Sequence, residues 1–350
     1  MLFSDTFPAI RGALLALAAA MLFGASTPLV QRLGVGMGAF TTAALLYAGA
    51  ALAGAAMRRP IEREAGLVRG DWKRLLVVAA FGSVIGPVAL AWGLQHTSGT
   101  SASLMLTLEA FFTGLLAWWI YRETMDTRVR VAMLMLVAGG AVLVVDQGQQ
   151  GGTQIAGMLA VLLATAAWGA DNTLSRALAE RDPGQVVMAK AALGASATLV
   201  LSLLFREPLP GLPAALGLTL VGAAGYGLSL RFYLLAQRSF GAARTGSVFA
   251  FAPFIGAGVA FALGDRSPSW LMAIGGLLML GGVLIHLAES HRHAHTHDPL
   301  EHEHAHGHDD GHHGHVHQPM PPGSHSHTHR HSPVAHTHAH VPDAHHLHRH

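Results

Sequence analysis

Up to about residue 288 the chain alternates between long apolar runs and short polar breaks. Ten runs of about 18–23 residues are centred near residues 22, 47, 84, 110, 138, 166, 194, 225, 252 and 278, the length a helix needs to cross a hydrocarbon core roughly 30 Å thick. They are rich in Ala, Gly and Leu. Small residues let membrane helices approach closely, and Gly82-Ser-Val-Ile-Gly86 has the small-xxx-small spacing that favours this. Beyond residue 288 the apolar pattern stops and histidine falls at alternate positions, as in "HRHAHTHDPLEHEHAHGHDDGHHGHVH" from His291 to His317. Such a segment cannot bury a core and is expected to be disordered without a ligand. The pattern predicts an all-α membrane protein of ten transmembrane helices with a His-rich C-terminal tail over 290–350.

Composition sharpens this division. Charged residues make up 12% of the 350 residues and hydrophobic ones 51%, against about a quarter charged in soluble domains. Mean hydropathy, +0.39, is diluted by the tail, which holds all the histidines except His96 and His286. The first run, "ALLALAAAMLFGAS", has the look of a signal peptide, but its pattern recurs in the sixth run, where a signal has no place. With no cysteine, disulfides, thiolate metal sites and cysteine nucleophiles are excluded. No P-loop, hydrolase elbow or zinc-protease motif occurs, so no enzyme is expected. A formal charge of +2 gives no nucleic-acid signal, and the basic residues from Arg58 to Arg74 form a short loop between apolar runs.

Lys and Arg set the orientation. Arg58, Arg59, Arg63, Arg69, Lys73 and Arg74 lie between runs two and three. Arg122, Arg128 and Arg130, then Arg176 and Arg181, then Arg238 occupy the later even-numbered breaks. The odd-numbered breaks hold only Arg32, Arg206 and Arg266. Both termini are therefore expected in the cytoplasm, in a multi-pass protein of the cell (inner) membrane.

The body is also duplicated. "LFGASTPLVQRL" (Leu22–Leu33) resembles "AWGADNTLSRAL" (Ala167–Leu178). "LQHTSG" (Leu94–Gly99) matches "AQRSFG" (Ala236–Gly241), and Gly139-Gly140 falls on Gly281-Gly282 at the same spacing. Two five-helix units, 1–145 and 146–289, follow one another. Five is odd, so the second inserts upside down, giving the inverted-repeat architecture of many secondary transporters.

These segments resemble the EamA type of the drug/metabolite transporter superfamily. The resemblance rests on "AAMLFGASTPLVQRL" and "TAAWGADNTLSRAL" opening the halves. It rests also on "LAWGLQHTSGTSASLMLTLEAFFTGLLAWWIYRE" with its counterpart "YLLAQRSFGAARTGSVFAFAPFIGAGVAFALGD", and on the glycine pairs of helices five and ten. It covers about residues 10–288 and implies secondary transport of small organic solutes, often export of amino acids, metabolites or drugs. Two positions depart from the family pattern. The proline common in the fourth helix of each half is present as Pro253 but replaced by Phe111 in the first. The basic residue common in the second helix is Lys190 in the second half, whereas the first half offers only Tyr47 and apolar residues.

Ionisable residues at membrane depth are costly and are site candidates by default. Glu109 lies near the middle of the fourth helix, where helical spacing sets Met105 and Thr113 on its face. It suits a proton or cation carrier or a contact for a substrate amine; otherwise it makes a satisfied interhelical hydrogen bond. Asp171 and Asn172 in the sixth helix, Lys190 in the seventh and Arg231 in the eighth lie at similar depth. They suit one charged cluster at the cytoplasmic mouth of a cavity. Alternatively the basic pair snorkels to the headgroups while Asp171 pairs locally. Trp168, one turn from Asp171, suits a stacking wall or plain packing. Trp92, Trp118 and Trp119 read as interfacial or lipid-facing.

The tail carries its own repeat. His293, His295, His297, His302, His304 and His306 recur 34 residues later as His327, His329, His331, His336, His338 and His340. His312, His313, His315 and His317 recur 33 residues later as His345, His346, His348 and His350. Neutral imidazole is a good ligand for Zn, Ni, Co or Cu, so the tail is expected to bind transition metal, and its imidazoles would charge together below about pH 6.5. The transporter itself requires no cofactor.

Three functions remain open: an exporter of a small organic metabolite or drug with a metal-sensing cytoplasmic tail, a Ni, Co or Zn cation transporter whose tail collects the ion, or a membrane-anchored metal store. The helices favour the first. Expected partners are the lipid bilayer, a small-molecule substrate, transition-metal ions and a second copy in a homodimer, with no nucleic acid.

Overall fold

A computed structural model describes residues 8–58, 65–122, 125, 127–149, 151–175, 178, 181–240, 242–265, 269–287, 291–296, 301–306, 325–330 and 335–340. For residues 8–9, 237–244, 287 and the four tail segments it describes backbone only.

The regular structure of the body is helical among its described residues, and its helices fall on the ten apolar runs. The first two spans are α1 (Pro8–Leu33) and α2 (Ala39–Ala56). The third is α3 (Trp72–Ala79), a π-helical segment (Ala80–Ile85) and α4 (Gly86–Leu94). The fourth is split into α5 (Gly99–Met105) and α6 (Leu108–Tyr121), and the fifth is α7 (Thr127–Gly148). The second half repeats this order. It runs through α8 (Gly152–Ser175), α9 (Pro183–Leu204) and α10 (Leu212–Gly222), then a π-helical segment (Ala223–Leu228) and α11 (Ser229–Phe240). The split α12 (Ala242–Phe249) and α13 (Ala252–Ala262) follow, then α14 (Trp270–Leu287). Nine spans among the described residues are long and apolar enough to cross a membrane, and Trp270–His286 is a shorter apolar tenth. Leu46, Leu90, Met105, Leu143, Met158 and Met279 fill the interior. Trp119, Leu204 and Trp270 point outward at 72%, 71% and 87% exposure, which suits contact with lipid.

The duplication extends to the irregularities. The two π-helical segments begin 143 positions apart, and so do α5 and α12. Gly24 and Gly169, matched in the sequence repeat, each carry a helix across the interrupted span of the other half. A Cβ on Gly24 would lie 2.4 Å from the Ala252 carbonyl oxygen, and one on Gly169 would lie 2.6 Å from Phe112 Cβ. Helices α7 and α14 cross at Gly139 and Gly275, where a Cβ on either glycine would meet the carbonyl oxygen of the other at 2.8 and 3.0 Å.

The two interruptions have different causes. Pro253 has no N–H and its ring crowds the carbonyl four residues back, so helix pairing fails around Phe251. The fourth span has Phe111 where a proline was looked for, yet it breaks too. Its chain tightens into i→i+3 bonds, from Thr107 N to Leu104 O (3.0 Å) and from Glu109 N to Leu106 O (3.0 Å). The break sets Met105 on α5 and Glu109 on α6, so the expectation that they share one continuous helical face is corrected.

Of the tail, four backbone segments are described: β1 (His291–Thr296), β2 (Glu301–His306), β3 (His325–Arg330) and β4 (Ala335–His340). β1 pairs with β4 and β2 with β3, both antiparallel. The rest of the tail and all its side chains lie outside the described residues. So do the expectations of disorder and of metal ligation by its histidines.

Candidate functional site

The polar residues at membrane depth converge beside the interruption of the fourth span. Glu109, in the first turn of α6, accepts a hydrogen bond at Oε1 from Asn172 Nδ2 of α8 (2.6 Å). One position back on α8, Asp171 is buried. Its Oδ2 is paired with Lys190 Nζ of α9, and its Oδ1 accepts from Ser175 Oγ (3.1 Å). Asn172 is exposed and Glu109 half-buried. A carboxylate and an amide partly exposed at this depth are costly to turn towards lipid, because the acyl phase offers them no partner.

The π-helical segment of the third span forms the floor. Widening a helix to i→i+5 frees a carbonyl from the ladder, and Gly82 O is met by two side chains, Tyr47 Oη from α2 (2.5 Å) and Trp168 Nε1 from α8 (3.0 Å). Gly82 and Gly86 let this segment lie against the site. A Cβ on Gly82 would fall 2.1 Å from Asp171 Oδ2, and one on Gly86 would fall 2.6 Å from Trp168 Nε1. The small-xxx-small pair read as a helix-packing motif therefore packs against site side chains. Phenylalanine at both Tyr47 and Trp168 would leave Gly82 O buried and unpaired. Each single change is expected to cost about 1 kcal/mol and the double change about 2–3 kcal/mol, read as unfolding midpoints of the detergent-solubilised protein.

Beside the charges stands a group of rings. Phe23 on α1 contacts Trp168 (centroids 6.0 Å apart), Tyr226 (5.8 Å) and Phe249 (5.5 Å), and Tyr47 lies 5.6 Å from Tyr226. Tyr226 is within electrostatic range of Glu109. Phe23, Tyr226 and Phe249 gave no sequence signal, because aromatics in apolar runs look like packing; Tyr47 was marked only by standing in the helix where the other half has Lys190.

Of the six expected site residues, five meet here: Glu109, Asp171, Asn172, Lys190 and Trp168. Arg231 on α11 instead donates from Nη1 to Met57 O (2.5 Å), the cap of α2 near the membrane face. Trp168 is buried and hydrogen-bonded, with an edge-on contact to Phe23. Among the described residues no group of three or more His, Asp or Glu side chains could hold a metal ion.

The interrupted helices share their packing unequally. Call the end of the bundle where α1 begins and α14 ends the terminal face. Away from it α5 packs against α13; towards it α6 packs on α7 and α8, while α12 packs on α1 and α11. Hydrogen bonds tie the halves at the far face, from Thr100 N to Asp265 Oδ2 (2.7 Å) and from Thr41 N to Glu207 Oε2 (2.7 Å), and Ser269 Oγ, just before α14, donates to Asp146 Oδ1 near the end of α7.

Ten apolar spans in two matching halves around a polar, ring-lined centre define a multi-pass membrane protein of the transporter class. The EamA-like transporter family matches twice, over residues 10–145 and 155–288, and the chain belongs to it. It is similar to an uncharacterized transporter of Methanothermobacter thermautotrophicus, with 30% identity over 239 residues, 66% of this chain and 68% of that one. A solved crystal structure of another protein shares the fold at a TM-score of 0.57, with 19% identity and coverage of 78% of this chain and 94% of that one.

Proposed function

We propose that the protein is a secondary transporter that exports a small organic solute across the cell (inner) membrane by alternating access. The observation that carries this is the placing of Glu109, Asn172 and the Asp171–Lys190 pair beside the break in a membrane-spanning helix. Discontinuous helices put polar groups at mid-membrane where two repeats meet. On this reading the terminal face is cytoplasmic, which the distribution of Arg and Lys supports. Because α5 packs on α13 away from that face, we take the site to be reached from the terminal face. Rocking the halves about the centre exposes it to the other side.

The tail then lies in the cytoplasm and binds Zn, Ni, Co or Cu. Its donor chemistry supports this reading. The strand register sets His293 opposite His338, His295 opposite His336, His302 opposite His329, and His304 opposite His327, and opposed residues in an antiparallel pair lie about 4.5–5.5 Å apart at Cα. The body offers a divalent cation less. At the site Asp171 is already engaged by Lys190, which leaves Glu109 and Asn172 there among the described residues, few ligands for a transition metal or magnesium.

Cells expressing the full chain, the Glu109→Gln variant or a chain ending at Ser290 are compared for Ni, Co, Zn and Cu content. Metal content is expected to follow the tail and to ignore Glu109. A metal that changes with the full chain and returns to control in Glu109→Gln, tail intact, would instead make metal, or a chelate of it, the cargo.

A further inference from the structure

The site is divided along the internal repeat. Its charges come from the fourth, sixth and seventh spans, as Glu109, Asp171, Asn172 and Lys190. The repeat mates of those spans are the ninth, first and second, and they supply Phe249, Phe23 and Tyr47. Lys190 and Tyr47 are themselves 143 positions apart. The symmetry has thus been broken into a polar lobe and an aromatic lobe that meet at Gly82, whose carbonyl takes Tyr47 Oη and which lies against Asp171.

Within the polar lobe the charges do not cancel. Asp171 is matched by Lys190, a pair of no net charge. Glu109 has only the neutral Asn172 as hydrogen-bond partner, at Oε1, so Oε2 is unpartnered among the described residues. That leaves one acidic oxygen for a ligand, with aromatic rings close by: Tyr226 is within electrostatic range of Glu109, and Trp168 lies one turn from Asn172 on α8. A cation is attracted both to a carboxylate and to the faces of aromatic rings. A carboxylate or phosphate on the solute would find its one complementary group, Lys190, already taken.

Resting on the transporter reading, we propose that the site takes an organic monocation with a flat apolar body. The ammonium sits on Glu109 Oε2, and the body lies against Phe23, Tyr226 and Phe249. The neutral isostere of such a solute leaves Glu109 without its partner, and the zwitterion brings a carboxylate towards it.

Binding is measured on the full-length protein in detergent by thermal shift. The probes are phenethylamine, benzyltrimethylammonium and 1-naphthylmethylamine, with 2-phenylethanol, phenylacetate and phenylalanine for comparison. The three cations are expected to bind, and the other three at least about tenfold more weakly. Glu109→Gln is expected to lower affinity for the cations about tenfold or more, and Phe249→Leu about two- to fivefold, with unchanged size-exclusion profiles. Glu109→Asp, which keeps the charge, restores part of the loss. Binding of phenylacetate or phenylalanine as tight as that of phenethylamine, or binding by none of the cations, overturns the assignment. So does a Glu109→Gln protein that binds the cations like the parent.

Counterflow of labelled phenethylamine and phenylacetate in proteoliposomes separates the two claims. Binding of the cations without counterflow removes the transporter reading and leaves the binding site. Counterflow of phenylacetate without cation binding removes the assigned class and leaves the transporter.

Discussion

Replacing Lys190 by Met is expected to be among the most damaging single changes at the site. The side chains of Lys190 and Asp171 are only 12% and 7% exposed, and they are paired with each other. Methionine keeps the length of the side chain and removes the charge. Asp171 then keeps Ser175 Oγ and loses its counter-ion in a region that solvates it poorly. Breaking one side of a buried pair typically costs about 3–5 kcal/mol, because the remaining charge is uncompensated. The variant should show a much lower unfolding midpoint and a smaller monodisperse fraction after extraction. Asp171→Asn in the same chain removes the orphaned charge, and the double variant should regain most of the lost stability. A stable but transport-inactive double variant places the pair in the transport cycle; a stable and active one makes it a structural brace. A Lys190→Met protein as stable as the parent would show that the pair is not closed in the membrane-embedded protein.

The polar half of the site was legible in the sequence for a simple reason. A carboxylate or ammonium in an apolar run is conspicuous because it is costly there. The sequence groups Asp171, Asn172 and Lys190 as one cluster and sets Glu109 apart from it, and the structure joins Glu109 to them through Asn172. Arg231 stood out by the same rule yet reaches Met57 O at the end of α2, because a long cationic side chain can leave its own depth. The depth of a Cα does not fix the depth of a guanidinium.

The aromatic half was not legible. Phe23 and Tyr226 differ from dozens of apolar neighbours only in what they touch, and contact across the repeat is a property of the fold. The interruption before Glu109 was hidden too. In the ninth span Pro253 announces a break, whereas the fourth has no proline and its break is carried by i→i+3 bonds that no residue type marks. The π-helical segments were half visible. The glycines at 82 and 86 suggested close packing, but the backbone carbonyl freed at Gly82 and its two donors appear only once α2 and α8 are in place.

Alanine at Gly222 is expected to disturb the molecule more than its size suggests. Gly222 ends α10, where α2 of the other half crosses it. A Cβ there would lie 1.9 Å from Leu46 O, 2.5 Å from Leu46 C and 2.6 Å from Leu46 Cα. All three atoms are helix backbone, so no rotamer change relieves the clash. The contact is reciprocal, since a Cβ on Gly49 of α2 would lie 1.9 Å from Thr219 O. Either alanine must push α2 and α10 apart and open the packing around Leu46 and Leu218. Overpacking of this kind costs about 1–3 kcal/mol or somewhat more where backbone has to move. Gly258→Ala on α13 is the control: no atom lies within 4 Å of its Cβ, and relief of backbone entropy should make it neutral or stabilising by about 0.5–1 kcal/mol. The Gly49→Ala/Gly222→Ala double variant should lose less than the sum, because one displaced crossing accommodates both methyl groups. Displacing α2 also draws Tyr47 from Gly82 O, so binding should weaken alongside the fall in unfolding midpoint. A Gly222→Ala protein that unfolds with the parent would mean that α2 and α10 do not cross this closely in the bilayer. The Tyr47 contact, and with it the aromatic lobe, would then have to be redrawn.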